Sequence, residues 1–397
     1  MSRPVPPKTR KDFDIAIICA LQLEANAVEA IFDRFWDEDG DRYGKSSGDK
    51  NAYRTGVIGN HNVVLAYMPG TGKVHAASVA VSCCLSFQGI RLALVVGICG
   101  GVPEGAKDGI FLGDIVISDE IMLHDFGKLY PGGFQRKETV TRSAADSEVP
   151  AFLRKLKSPR GHQNLLSRTH RHLSALQTQN HDYHCPGRHH DRLFEPTYHH
   201  KHHGSSKCKK CKKDEPCKRA QDSTCEMLEC DLRRIIHRSH KGPNEINIHF
   251  GRIASGDMVM KSGMDRDRIA EEETIIAFEM EGAGVCGSMP FIVIKGVCDY
   301  ADSHKDKTWQ RYTAGAAAAC MRSVLEQWAV VDKAEQRSTR LNDLLHGEPE
   351  SPINSPSKIQ SSRVDEGYHS QNNYDSSDGE ITQGITSFFI KKNSVID

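Results

Sequence analysis

Acidic residues stand at three strand ends, where an α/β chain would gather its chemistry. Glu24 follows closely on the apolar run Phe13 to Leu21. Glu279 and Glu281 flank Met280 directly after Ile275 to Phe278, and Asp299 ends the run Ile292-Val-Ile-Lys-Gly-Val-Cys. Open α/β sheets bind ligands in the crevice outside the carboxyl ends of their strands. A glutamate opening a helix, such as Glu24, is also favoured by the helix dipole, and one of Glu279 and Glu281 can serve as a helix cap. Asp299 has no such structural reason, because strand packing asks for no acid there. The three strand ends predict one crevice lined by carboxylates, the equipment of general acid–base catalysis.

Two glycine clusters accompany them. Pro69-Gly-Thr-Gly-Lys73 would need a Gly at Tyr67 and a Ser or Thr at Val74 to make a phosphate loop. It reads instead as a tight strand-to-helix turn. Gly97-Ile-Cys-Gly100-Gly101 follows a strand and lets backbone approach a ligand, with Gly100 a candidate contact.

The elements that would position these groups alternate. Phe13 to Leu21 reads as a strand, and Gln22 to Trp36 as a helix through Leu23, Ala27, Ala30, Ile31 and Phe35. Further strands are expected at Asn62 to Met68, Leu92 to Val96 and Leu112 to Ser118, with a helix at Val74 to Phe87. After a break, strands return at Ile246 to Ala254, Ile275 to Phe278 and Phe291 to Val297. Helices are expected at Asp265 to Glu273, from Glu281 to Cys286, and at the Ala-rich Trp309 to Val330. The fold class is α/β: one domain with a central, twisted, mixed sheet flanked by helices, split between residues 12–142 and 246–333.

The break, residues 143–245, holds 13 of the 20 histidines and six of the 13 cysteines. It reads as a disordered or metal-bound insertion. Cys208, Cys211, Cys225 and Cys230, with Cys217 and His199, His200, His202 and His203 nearby, suit a structural zinc site, although a flexible basic surface loop fits the same residues. The N-terminal stretch 1–11 is expected to be flexible, and 334–397, with few core residues, to be a disordered tail. Phe388-Phe389-Ile390 in the tail could dock a protein partner, and Ser351-Pro352 and Ser355-Pro356 are phosphorylation-type dipeptides.

A net charge of zero gives no basis for nucleic-acid or membrane-surface binding. No apolar run nears the roughly 20 residues needed to span a bilayer. Without an h-region near the N-terminus, a cytoplasmic location with reduced thiols is expected, the nucleus being open as well.

In combination, Ala16-Ile-Ile-Cys-Ala-Leu-Gln-Leu-Glu24, Gly72-Lys73-Val74, Gly97 to Gly101, Ala254-Ser-Gly-Asp257, Phe278-Glu-Met-Glu281 and Val297-Cys-Asp299 resemble the nucleoside phosphorylase/nucleosidase superfamily. Within it, the chain looks most like the methylthioadenosine/S-adenosylhomocysteine nucleosidases as they occur in fungal NLR-associated proteins. The resemblance implies that Glu24 acts on the attacking water, Glu281 holds ribose hydroxyls and Met280 packs beneath the sugar. It also implies that Asp299 protonates or hydrogen-bonds the purine N7, that Val259 and Met260 contact the purine, and that His124 and Asp125 lie near the 5′ end of the ribose. The substrate expected is a purine nucleoside or 5′-modified adenosine, with no organic cofactor and with a homo-oligomer as the working form.

Departures from the pattern bear on the nucleophile. Phosphorylases of the superfamily carry an Arg and a Ser for phosphate where this chain has Val95 and Ile98, and a Gly-Asp-Pro-type loop where it has Ala20 to Glu24. Apolar side chains do not neutralise phosphate, so hydrolysis is expected ahead of phosphorolysis. A nucleoside-sensing module with little turnover is the reading from another class. Cys298 replaces a common Ser beside the catalytic Asp, which weakens a hydrogen-bond relay to the base.

Overall fold

The computed structural model describes residues 5–137, 140–141, 148–204, 208–211, 216–239, 242 and 245–329. The tail with Phe388 to Ile390 lies outside the described residues.

The chain opens with β1 (Ile15–Cys19), buried at every position, as a central strand covered on both faces must be. α1 (Gln22–Glu29) follows and is shorter than the apolar spacing predicts. Beyond it Asp33 is drawn to the Gly59 amide and to Arg322, and β2 (Arg34–Phe35) pairs with β3 (Ala52–Ile58), so Phe35 belongs to an edge strand. Next come β4 (His61–Tyr67), α2 (Lys73–Ser86) and β5 (Leu92–Gly101), which runs five residues past its expected end. After β6 (Ile115–Leu123), β7 (Gly127–Tyr130) and β8 (Gly133–Arg136) form a separate hairpin, and β9 (Val140–Thr141) returns to β6.

The insertion begins with two helices that the sequence reading did not anticipate, α3 (Glu148–Lys157) and α4 (Pro159–Gln179). Ser158 caps α4 through the Gly161 amide, with Pro159 at the first helical position. Leu165, Thr169, Leu173 and Leu176 form its buried stripe. Burial of each leucine is worth roughly 1.5–3 kcal/mol, so residues 148–183 belong to the core and are not a surface insertion. Their periodicity was obscured because the outer face of α4 is almost entirely polar.

Past the short α5 (Lys218–Gln221), the second block supplies β10 (Ile248–Ser255), α6 (Gly263–Glu273), β11 (Ile275–Glu279), α7 (Gly282–Val285), β12 (Phe291–Asp299) and α8 (Gln310–Leu325). The small residues Ala314 to Ala319 let α8 pack closely, and all are buried.

These strands form one mixed sheet in the order β11-β10-β6-β12-β5-β1-β4-β3-β2. β1, β4, β5 and β12 run parallel, as do β6, β10 and β11. The sheet also curls back on itself, since β11 pairs antiparallel with the far end of β5, Ala277 against Gly101 and Phe278 against Gly100. This closure brings the ends of β1, β5, β11 and β12 together. Among the described residues no helix is long and apolar enough to cross a membrane.

Candidate functional site

Glu24 is held before any ligand arrives. From the third position of α1 its Oε2 accepts the backbone N–H groups of Ala20 (3.0 Å) and Leu21 (2.8 Å), and its Oε1 accepts Ile98 N–H (2.8 Å). A carboxylate offers about four lone-pair sites, so three amides leave roughly one for a further donor. Gly97 is required here: a Cβ on it would lie 2.0 Å from Glu24 Oε1. Burial raises the carboxyl above its ordinary value, against the pull of Lys295, while Glu281 adds to the rise.

Asp299 reaches the same cleft through an irregularity of β12. Val297 pairs with Cys99 but Asp299 pairs with Gly100, so Cys298 is an extra residue, and bulges of this kind re-aim side chains. A Cβ on Gly100 would meet Asp299 Oδ1 at 2.8 Å. Ala301, at φ 52°, turns its N–H onto that oxygen at 2.8 Å, and Lys305 Nζ lies 3.1 Å from it. Burial works against the Lys305 charge, yet the Asp299 carboxylate outweighs it and holds the ammonium above its usual range. Cys298 Sγ sits 3.4 Å from both Asp299 Oδ2 and the Cys99 carbonyl. Burial pushes this thiol well up, so it keeps its proton and remains a weak donor to Asp299.

The two glutamates around Met280 have separate duties. Glu279 accepts the N–H groups of Glu281 and Gly282 at 3.0 Å and so caps α7. Glu281 is bonded to Lys295 Nζ at 2.8 Å, with Glu279 3.7 Å from the same nitrogen. Burial alone would lower Lys295, but Glu281, Glu24 and Glu279 raise it. The sequence reading did not single out Lys295, although a lysine inside the apolar run Ile292 to Val297 is itself a signal of a buried charge pair.

Glu24, Ile98, Gly100, Val259, Met260, Met280, Glu281 and Asp299 all line one cleft with about 610 Å³ of space including its open mouth. Phe278, Thr71, Met258, Lys305 and Gln310 also line it and were not anticipated. Val95 is buried inside the sheet, paired with Ile18 and Val293, away from the cleft.

His124 does not line the cleft. It is buried behind the wall with its ring edge-on to Phe278, centroids 5.5 Å apart, and burial keeps it below its usual range. Asp125 instead binds Lys73 Nζ (2.5 Å) and Asp257 N–H (2.7 Å), while Asp257 accepts the Lys73 backbone N–H at the start of α2 (2.8 Å). A carboxylate therefore takes the helix N-terminus that a phosphate loop would offer to phosphate.

The four cysteines read as one metal set fall into two groups. Cys208 and Cys211 gather with Cys217 and His202, whereas Cys225 and Cys230 gather with His200.

A model of the Phosphorylase superfamily matches residues 14–187 and 175–331 of the chain. A nucleotide-binding leucine-rich repeat (NLR)-like protein of Hyaloscypha variabilis is 31% identical over 326 residues, covering 81% of this chain and 30% of that protein. The chain thus spans under a third of this relative's length. A 5′-methylthioadenosine/S-adenosylhomocysteine nucleosidase of Mycobacterium bovis is 25% identical over 280 residues, 69% of this chain and 83% of that enzyme. The solved nucleosidase of the same name from Helicobacter pylori is 17% identical with a TM-score of 0.46, covering 80% of this chain and 99% of that one. With the family match running through both sequence blocks and the helices between them, the chain belongs to the phosphorylase superfamily, and within it resembles the methylthioadenosine/S-adenosylhomocysteine nucleosidases.

Proposed function

We propose that this chain hydrolyses the N-glycosidic bond of a purine nucleoside or 5′-modified adenosine. The observation that carries the reading is the division of the cleft between one carboxylate with a free lone pair, Glu24, and one backed by a thiol and an ammonium, Asp299. Cleavage develops positive charge on the sugar and negative charge on the departing base. Asp299 meets the base as acid or hydrogen-bond partner at N7, with Lys305 steadying it. Glu24 orients and deprotonates water. Glu281, fixed by Lys295, takes the ribose hydroxyls, and Met280 and Phe278 offer apolar surface to the sugar and base.

Water is favoured over phosphate as nucleophile because the two lysines beside these acids, Lys295 and Lys305, are already bonded to carboxylates. Ile98, at the nucleophile end, offers phosphate no side-chain donor. No organic cofactor has a part in this scheme. Incubation with adenosine, inosine, guanosine and methylthioadenosine, with and without phosphate, tests it. Free base and free ribose or methylthioribose without phosphate support hydrolysis. A ribose 1-phosphate formed only with phosphate overturns it in favour of phosphorolysis, and binding without any product favours the sensor.

The proposal includes a homo-oligomer. Val74, Val81 and Leu85 are 76%, 49% and 61% exposed, and at spacings of seven and four they share one face of α2. Such a stripe asks for cover. Sedimentation of the intact protein tests this, with V81E/L85E expected to shift it to monomer.

A further inference from the structure

The segment after α4 is poor in core. Its satellite cluster contains Phe194, Ala220, Leu228 and Cys230 as its buried residues, too little apolar burial to hold so loop-rich a stretch without cross-links. All of the cysteines there are free. Instead, two histidines separated by a single residue, His200 and His202, each face a separate group of thiols.

His202, Cys208, Cys211 and Cys217 bring their ligand atoms within 4.8 Å of one another. His202 Nδ1 lies 3.4 Å from Cys211 Sγ and 3.8 Å from Cys217 Sγ. Tetrahedral zinc, with Zn–S near 2.3 Å and Zn–N near 2.0 Å, spaces its ligand atoms by about 3.5–3.8 Å. The backbone amides of Lys210 and Cys217 point at Cys208 Sγ and Cys211 Sγ, each at 3.4 Å. Thiols are weak acceptors, whereas amides aimed at sulfur suit metal-bound thiolates.

The second group is more deeply set. His200 Nδ1 is 3.6 Å from both Cys225 Sγ and Cys230 Sγ, while its Nε2 meets the Ser223 carbonyl at 2.8 Å. That carbonyl keeps the proton on Nε2 and leaves the Nδ1 lone pair facing two sulfurs, as in a metal-ligating histidine held by its outer partner. His200, Cys225 and Cys230 bring their ligand atoms within 4.8 Å of one another. His304, from the loop after β12, stands just outside that set, edge-on to His200 with centroids 5.3 Å apart and an interplanar angle of 74°, so a rotation of its ring would bring a nitrogen in as the fourth ligand. Two imidazoles on one tetrahedral ion have centroids about 5 Å apart at ordinary Zn–N lengths. The His304 side chain is 3% exposed and neither ring nitrogen has a hydrogen-bond partner, a costly state for a buried imidazole.

We propose that this segment holds two zinc ions, one on His202, Cys208, Cys211 and Cys217, the other on His200, Cys225, Cys230 and His304. Soft thiolates with imidazole in closed four-ligand sets select zinc, and binding releases the thiol protons. The second ion ties the segment to the cleft: His304 precedes Lys305, the partner of Asp299, and the His200 amide donates to Ser303 Oγ at 3.0 Å.

Elemental analysis of the full chain saturated with zinc and freed of excess tests this directly. Two zinc ions per chain are expected, falling to one in Cys208→Ser/Cys211→Ser and to one in Cys225→Ser/Cys230→Ser. Fewer than two in the unmodified protein, or another metal in their place, overturns the proposal without any variant having to fold. Cobalt substitution then reads the ligands. His304→Ala is expected to change the visible d–d bands and to weaken retention of one ion against a chelator by at least tenfold. Unchanged bands and retention remove His304 and with it the link to the cleft.

Discussion

Lys295→Met is the sharpest test of how the cleft is built. The substitution keeps the volume of the side chain and removes its charge from a site where Lys295 is 1% exposed, Glu279 0% and Glu281 6% by side chain. Both carboxylates are then buried with no cation in contact. Breaking a buried ion pair from one side costs about 3–5 kcal/mol, which for a domain of this size lowers Tm by on the order of 10 °C. The cost depends on pH in a definite direction. Burial already raises Glu279, and loss of Lys295 removes what opposes that rise. The folded variant therefore binds protons more tightly than the unfolded chain. Its deficit is full above that raised folded value and shrinks as pH falls through it toward the ordinary value of an unfolded glutamate. Urea unfolding followed by fluorescence of the buried Trp36, Trp309 and Trp328, at pH 7.5 and pH 5, measures both effects. Adding Glu281→Gln should recover part of the loss. A single variant within about 1 kcal/mol of the parent, with no change between the two pH values, would refute the account of Lys295 as the counter-charge of the cleft.

Further outcomes follow for the proposed chemistry. Glu24→Gln should lower kcat/KM by about 10²–10⁴, the usual worth of a general base, with a normal unfolding curve. In the parent, Glu24 must be ionised and burial raises its carboxyl. The acid limb of the kcat/KM profile should therefore lie above the ordinary glutamate value of 4.5, with activity lost as pH falls through it. An acid limb at or below 4.5 removes Glu24 from that role. Asp299→Asn should reduce turnover of purine nucleosides by about 10²–10⁴, whereas substrates with a pre-activated leaving group should lose far less; equal losses would argue against a leaving-group role. Gly97→Ala should displace the Glu24 carboxylate, because the new Cβ would stand 2.0 Å from Oε1, and should mimic Glu24→Gln in rate; retained activity would show that the close approach is dispensable.

The parts of this site legible in the sequence were those whose residue types conflict with their local surroundings. Asp299 after an apolar strand and the glycines Gly97 and Gly100 of β5 violate what packing alone would choose, whereas Glu24, which a helix dipole favours anyway, became legible through the family resemblance; all of them line the cleft or border Glu24. Lys295 carried the same kind of signal inside an apolar run and went unread. Lys305 and Gln310 carried none, because charged and polar residues after a strand are ordinary until the bulge at Cys298 and the turn at Ala301 bring that loop inward. The closure of β11 onto β5 was hidden for a related reason. Antiparallel pairing of two strands so distant in sequence leaves no local periodicity. α3 and α4 were missed because a polar outer face outnumbers a four-residue buried stripe, and His124 failed because a loop position beside a cleft does not say which way its ring faces.

On the proposed reading, β5 acts as the ruler of the reaction. The Glu24 carboxylate lies over Gly97 and takes the Ile98 amide, while the Asp299 carboxylate lies over Gly100. Those glycines are three residues apart, about 10 Å along an extended strand. A sugar between Glu24 and Asp299 would then have its base on the Gly100 side and water on the Gly97 side, with Glu281 and Met280 alongside it. Direct displacement with inversion at the anomeric carbon is the outcome expected when water and base stand on opposite sides of the sugar. Proton NMR of the first-formed sugar, recorded before mutarotation, reads it: the α-anomer from a β-nucleoside agrees with this placement, and an initial β-anomer contradicts it.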